Sequence, residues 1–153
     1  MAYWLFKSEP ASFSIDDLAA RPGQTEHWDG VRNFQARNYM RAMAPGDLAF
    51  FYHSSCAVPG VVGEVEIGRA AYPDFTAWDP QNPHYDPRAS ASRPIWSMVD
   101  VVLRARYPRI VTLTELKACP ALAGMRLLAR GNRLSVLPVS AEEWSVICGL
   151  AGR

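Results

Sequence analysis

Leu48-Ala49-Phe50-Phe51-Tyr52-His53, followed after residues 54–58 by Pro59-Gly60-Val61-Val62-Gly63-Glu64-Val65-Glu66-Ile67, decides the fold. The first segment is apolar almost throughout, as a strand covered on both faces reads. Pro59-Gly60 marks a turn. Beyond it, Val61, Val65 and Ile67 fall on one side and Glu64 and Glu66 on the other, the period of two of a half-buried strand. Consecutive strands joined this closely predict a mixed or antiparallel sheet, since a parallel pair needs a long crossover.

Toward the N-terminus, Tyr3–Ser8 reads as a buried strand stopped by Pro10, and Ser14 caps a short helix that Pro22-Gly23 ends. No G-x-G-x-x-G follows the first strand, which argues against a nucleotide-cofactor fold. Asn33 caps a second helix with Phe34, Met40 and Met43 on a buried face and Arg37 and Arg41 on another. Toward the C-terminus, residues 72–94 form a long loop holding Pro73, Pro80, Pro83, Pro87 and Pro94, and a loop of that length is usually functional. Residues 96–107 form the longest strand, with Val99, Val101, Leu103 and Ala105 on one face. Thr112 to Glu115 and Ser140 to Glu143 are capping boxes that open two more helices, the last with Trp144, Ile147 and Cys148 as its buried stripe. Residues 134–139 supply a strand between them. The order predicts one α+β domain over residues 1–153, a curled sheet flanked by short helices.

With a net charge of +1 the chain is no basic nucleic-acid coat, but a local basic face is allowed. Of its 16 basic residues only Lys7 and Lys117 are lysine, and arginine forks suit phosphate and flat rings. The three cysteines lack C-x-x-C spacing, and His27, His53 and His84 lack helical pairing, so no metal and no cofactor is expected. No apolar run approaches a membrane span, and the N-terminus lacks a basic leader, so a cytoplasmic location without membrane attachment is expected. Oligomeric state stays open.

Glu26-His27-Trp28-Asp29-Gly30-Val31-Arg32-Asn33-Phe34-Gln35-Ala36-Arg37-Asn38 carries the chemistry. Gly30 and Asp29 weaken a helix at Trp28, which therefore sits at a strand end or turn. A rigid aromatic before a helix start suits a flat, polar, partly anionic ligand. The bland alternative is a core tryptophan.

The chain resembles the EVE domain family of the PUA-like superfamily. The resemblance rests on Trp4-Leu5-Phe6-Lys7-Ser8-Glu9-Pro10, Trp28 through Asn38, Phe50-Phe51-Tyr52-His53-Ser54, Pro59-Gly60-Val61-Val62-Gly63, Asp74-Phe75-Thr76-Ala77-Trp78-Asp79, Tyr85-Asp86-Pro87, Trp96-Ser97-Met98-Val99-Asp100-Val101 and Leu134-Ser135-Val136-Leu137-Pro138-Val139. It implies a PUA-like, barrel-like sheet with a central pocket, and a non-catalytic reader of a modified base, modified cytosine in DNA foremost. The related YTH readers hold their base in an aromatic cage, which implies cage roles for Trp28 and Trp96. A flipped base needs edge contacts as well, for which Lys7, Ser8, Asp29, Tyr52 and Ser54 are the candidates, with His53 either a ligand or a buried histidine. Arg32, Asn33, Arg37, Arg130 and Arg133 are candidates for phosphate. Two alternatives stand beside this. One is a module for modified RNA. The other is an amidohydrolase of the ASCH type acting on modified cytidine through Lys7, Ser8 and Glu64 or Glu9. Trp28→Ala is expected to lose modified-base preference with the fold intact, and Arg37→Ala to weaken all oligonucleotides alike.

Overall fold

The computed structural model describes residues 1–153. In chain order it has β1 (Tyr3–Ser8), α1 (Ile15–Ala20), β2 (Thr25–Trp28), α2 (Phe34–Ala42), β3 (Leu48–His53), β4 (Gly60–Pro73), β5 (Ser97–Thr112), α3 (Leu113–Ala118), β6 (Val136–Val139) and α4 (Ala141–Leu150). The strands form one sheet in the order β2-β5-β4-β3-β1-β6. β1 and β3 run parallel, and every other neighbouring pair is antiparallel. The mixed, curled sheet predicted from the Pro59-Gly60 turn is present. Asn33 caps α2, and reciprocal capping boxes open α1, α3 and α4 at Ser14, Thr112 and Ser140.

Curl comes from irregular pairing. β4 slips against β5 between Val61 and Gly63, Glu64 and Val65, Ile67 and Arg69, and Arg69 and Tyr72. Each such bulge bends its strand and sharpens the local twist. The sheet therefore wraps until Phe6 of β1 and Trp28 of β2 bring their ring centroids within 4.9 Å, although β3, β4 and β5 lie between them in the sheet. The edge strands β2 and β6 do not pair, so side chains rather than hydrogen bonds close the curl.

The concave face collects Trp4 and Phe6, Trp28, Phe51, Val65 and Ile67, Val99 and Val101, and Val136 from all six strands, with Ala36 and Met40 of α2 lying over them. The convex face carries Leu5, Phe50, Leu137 and Leu116 beneath α4. There Trp144 stacks on Phe50 at 4.0 Å and on Tyr3 at 4.6 Å.

Two expectations give way. The bulge after Val61 sends that residue to the convex cluster and puts Val62 beside Val65 and Ile67, so a strict period of two fails there. Phe34 is not on the buried face of α2 with Met40. It is 49% exposed and lies flat on Trp96, ring centroids 4.7 Å apart.

Candidate functional site

At the unpaired seam between β2 and β6 the curled sheet opens on a cavity of about 520 Å³. That falls within the roughly 300–1,000 Å³ usual for small-molecule sites. Lys7, Ser8 and Glu9 enter from the end of β1, and Ser12 and Phe13 from the turn after it. Arg21 follows α1, and Glu26, His27 and Trp28 come from β2 with Asp29, Gly30 and Val31 behind it. His84 of the long loop and Ser135 ahead of β6 complete the wall.

Trp28 ends β2, as its neighbours Asp29 and Gly30 predict, and it is only 8% exposed. Its ring meets Phe6, Phe51 and Phe13 at 4.9, 5.5 and 6.0 Å. It is thus core on one side and cavity wall on the other. Trp4 and Trp96 donate their indole N–H groups to Asp47 and Asp86, whereas Trp28 finds no acceptor in the protein. No enclosed side-chain nitrogen goes unpartnered, so the Trp28 N–H reaches solvent. Lys7 is in the same position: its ammonium makes no hydrogen bond or ion pair, and burial pushes its pKa down. The Ser8 hydroxyl donates to the Phe13 carbonyl at 2.5 Å, which ties the turn to β1. Glu26 accepts from Arg21 Nε at 2.8 Å and from the His27 backbone at 3.0 Å. Asp29 has only His27 nearby, at 3.8 Å. Two residues whose donors the chain leaves unused, Lys7 and Trp28, thus line the cavity together with Asp29 and Glu9.

Asp74 fixes the far wall. Fully buried, its carboxylate accepts from Gly30 N (2.9 Å), Arg32 Nη1 (3.0 Å) and Thr76 N (2.9 Å), with the Thr76 hydroxyl at 2.5 Å. Burial alone would raise its pKa, but the bonds from Thr76, Gly30 and Arg32 together hold it below the usual carboxylate value. Gly30 has φ +79°, and a Cβ there would lie 2.6 Å from the His84 ring. Both facts require glycine.

The remaining sequence candidates stand elsewhere. Tyr52 is on the convex face, where burial raises its pKa to about 12. Trp96 is 3% exposed, with Asp86 on its nitrogen and Phe34 on its face, so no cage of two tryptophans forms around the cavity. Glu64 is also convex, bound by the Tyr107 hydroxyl at 2.7 Å and Arg153 at 3.2 Å, and cannot join Lys7. Ser54 donates its backbone N–H to the Ser8 carbonyl and does not line the cavity. Arg32 is spent on Asp74, the His84 carbonyl and Thr76. Arg37 turns inward to the Ile95 carbonyl, and Asn33 caps α2. Arg130 and Arg133 are exposed in the loop before β6, away from the cavity wall, and make no ion pair with the chain.

His53 faces α1 instead of the cavity. Its Nε2 accepts the Ile15 N–H at 3.2 Å, and burial lowers its pKa against an opposing pull from Asp16. Because the folded pKa is depressed, this contribution is whole above the unfolded value of about 6.5 and declines as pH falls below it. The wild type should lose about 1 kcal/mol, the worth of one hydrogen bond, between pH 8 and pH 5. Urea midpoints at the two pH values should differ more for the wild type than for His53→Gln. Equal shifts would remove His53 as the cause.

Glu26, His27 and Val31 lie in the stretch singled out around Trp28 but were given no role, Glu9 entered only with the amidohydrolase alternative, and Ser12, Phe13, Arg21, His84 and Ser135 were not named for the site at all. Glu26 carried a further signal, standing two residues before Trp28 and so on its side of a strand. The others reach the cavity through the curl.

A curled α+β sheet with a polar, indole-walled cavity at its open seam defines a small ligand-binding domain. The EVE domain profile matches residues 2–150, and the chain belongs to that family. Mouse thymocyte nuclear protein 1 is 49% identical over 165 residues, covering 97% of this chain and 73% of that protein. A protein of known structure from Pseudomonas putida is 51% identical, with a TM-score of 0.94 over 98% of this chain and 99% of its own. Human THYN1 protein, solved in complex with 5-methylcytosine containing DNA, is 44% identical with a TM-score of 0.95, covering 100% of this chain and 99% of that one. No helix here is long and apolar enough to cross a membrane, and no group of His, Cys, Asp and Glu is placed to hold a metal.

Proposed function

We propose that this chain reads a modified base, modified cytosine in DNA, by taking the flipped nucleotide into the seam cavity. The observation that carries the proposal is the polar cavity walled by Trp28 with the unpartnered Lys7 ammonium inside it. Cytosine presents N3 and O2 as acceptors and an amino group as donor. Lys7 and the Trp28 N–H supply donors, Asp29 and Glu9 supply acceptors, and Phe13 and Val31 are apolar surface for a substituent at C5. Thymine would turn an oxygen toward the carboxylates, and an unpaired acceptor in a closed site is penalised. Stacking on an aromatic returns roughly 1–3 kcal/mol per base, which offsets extrusion of a few kcal/mol. The human relative's complex with methylated DNA supports the same ligand class. Binding is favoured over amide hydrolysis because Glu64 is on the other face of the sheet and the Ser8 hydroxyl is already a donor to Phe13, which leaves Glu9 as the one carboxylate of that alternative in the cavity with Lys7.

Lys7→Met tests this. A hydrogen bond to a charged group is worth about 1.5–3 kcal/mol, so affinity for a duplex with one 5-methylcytosine should fall on the order of 10- to 100-fold. The fold should be as stable or more stable, because an unpaired, half-buried charge is gone. Fluorescence polarisation with methylated and plain DNA, and with matched RNA, reads the result. Wild-type protein that binds methylated and plain DNA alike would sink the proposal. Tighter binding of methylated RNA would keep the cavity and change the partner.

A further inference from the structure

Across the His84 ring from the seam cavity lies a second hollow of about 310 Å³, whose wall includes Arg32, His84, Tyr85, Arg88 and Trp96. His84 belongs to both walls, so the two spaces adjoin. Their surroundings hold three of the five large apolar side chains left exposed in the whole molecule. Phe34 is 49%, Phe75 49% and Tyr85 42% exposed. Phe75 meets the cavity residue His27 edge-on at 5.6 Å, and Phe34 covers Trp96. Exposed aromatics gathered on one rim mark a contact surface.

The hollow is rigidly built. Arg88 is pinned to the buried Asp86 carboxylate at 2.8 Å, yet its side chain stays 63% exposed. The same carboxylate accepts from the Trp96 indole at 2.8 Å. Arg32 and Arg37 hold their guanidinium groups over the Trp96 ring at 5.5 and 5.9 Å. Ile95 has φ +58°, outside the range a β-branched residue ordinarily adopts, and its carbonyl is clamped by Arg37 and Arg41. Trp96 and its neighbours are thus fixed in place around an open aromatic face and a fixed cationic edge. That pairing suits an unstacked nucleotide, whose base needs a π surface and whose phosphate needs a guanidinium.

We propose that the hollow between His84 and Trp96 is a second nucleotide subsite, holding the neighbour of the flipped nucleotide with its base on the Tyr85 ring and its phosphate at Arg88. This rests on the seam cavity being the base site.

The test compares wild type, Tyr85→Ala and Arg88→Ala with two probes: free 5-methyldeoxycytidine, and an oligonucleotide with one 5-methylcytosine and 5-iodouracil placed beside it or four positions away. Tyr85 is exposed and makes no hydrogen bond with its side chain, so Tyr85→Ala should melt like the wild type. Arg88→Ala should melt lower, because the buried Asp86 carboxylate loses its cation and keeps only the Trp96 indole and the residue 88 backbone as donors. Tyr85→Ala should bind the oligonucleotide about tenfold more weakly and the nucleoside unchanged. Arg88→Ala should lower the salt dependence of oligonucleotide binding by about one phosphate contact. Light should crosslink the adjacent iodouracil to Tyr85 and spare the distant one. Full oligonucleotide affinity in both variants, with no adjacent crosslink, overturns the subsite. Wild-type protein indifferent to methylation overturns only the seam-cavity reading, and the Tyr85→Ala loss then decides the subsite by itself.

Discussion

Asp74→Ala is expected to lower the unfolding free energy by about 3 kcal/mol, the low end of the roughly 3–5 kcal/mol lost when one partner of a buried ion pair is removed. The low end applies because Arg32, at 22% side-chain exposure, keeps the His84 carbonyl and Thr76 as partners. Against a total stability of about 5–15 kcal/mol for a domain, that is a large share. The effect reaches the cavity as well. Without the carboxylate, the Gly30 N–H loses its acceptor, and the His84 ring loses the backbone it packs upon. Base affinity should therefore fall alongside stability. Asp74→Asn is the finer probe, since it keeps one oxygen acceptor and turns an amide donor toward either Arg32 and Gly30 or Thr76. Because Asp74 has a depressed folded pKa, its contribution is full above the unfolded carboxylate value of about 3.9 and is lost as pH falls through the folded one. Urea curves at pH 7 should show a lower midpoint at unchanged slope for both variants. Below about pH 4 the gap between wild type and Asp74→Asn should narrow. A gap constant with pH would mean that Asp74 does not act through its charge.

What was legible beforehand divides along physical lines. Local signals spoke clearly: Pro59-Gly60 set the antiparallel turn, and Ser14, Thr112 and Ser140 announced helices that begin where their caps stand. The glycine at 30 placed Trp28 at a strand end. Tertiary closure was silent. Phe13 and Ser135 meet at one cavity only because bulges in β4 curl the sheet, and a bulge such as the one after Val61 leaves little trace in a run of valines. Trp96 misled for a related reason. It stands one residue ahead of the long strand, and Asp86 and Phe34 from elsewhere in the chain take its nitrogen and its face. Arg32 and Arg37 likewise looked free because their partners, Asp74 and the Ile95 carbonyl, are more than forty residues away.

Trp28→Ala carries the other large effect, and its expected outcome changes with the ring's position. A tryptophan standing free at a cavity mouth would be lost without harm to the fold. This ring instead packs on Phe6, Phe13 and Phe51, so its truncation should remove about 3–5 kcal/mol. Loss of binding in that variant is then ambiguous between a missing stack and a collapsed wall. Trp28→Phe separates the two. It keeps an aromatic face against Phe6 and Phe51 but deletes the indole N–H, which has no acceptor in the free protein and whose removal orphans nothing. Stability should drop by much less than in Trp28→Ala, while affinity for a 5-methylcytosine duplex falls by about tenfold, one hydrogen bond and part of a stack. Thermal melts and polarisation on the same samples read both quantities. A Trp28→Phe protein that binds methylated DNA as tightly as wild type would leave the indole as a packing residue and shift recognition onto Lys7 alone. If Trp28→Ala melted near the wild-type temperature, the ring would not be part of the core, and the seam would have to be held shut by Phe6 and Phe51 without it.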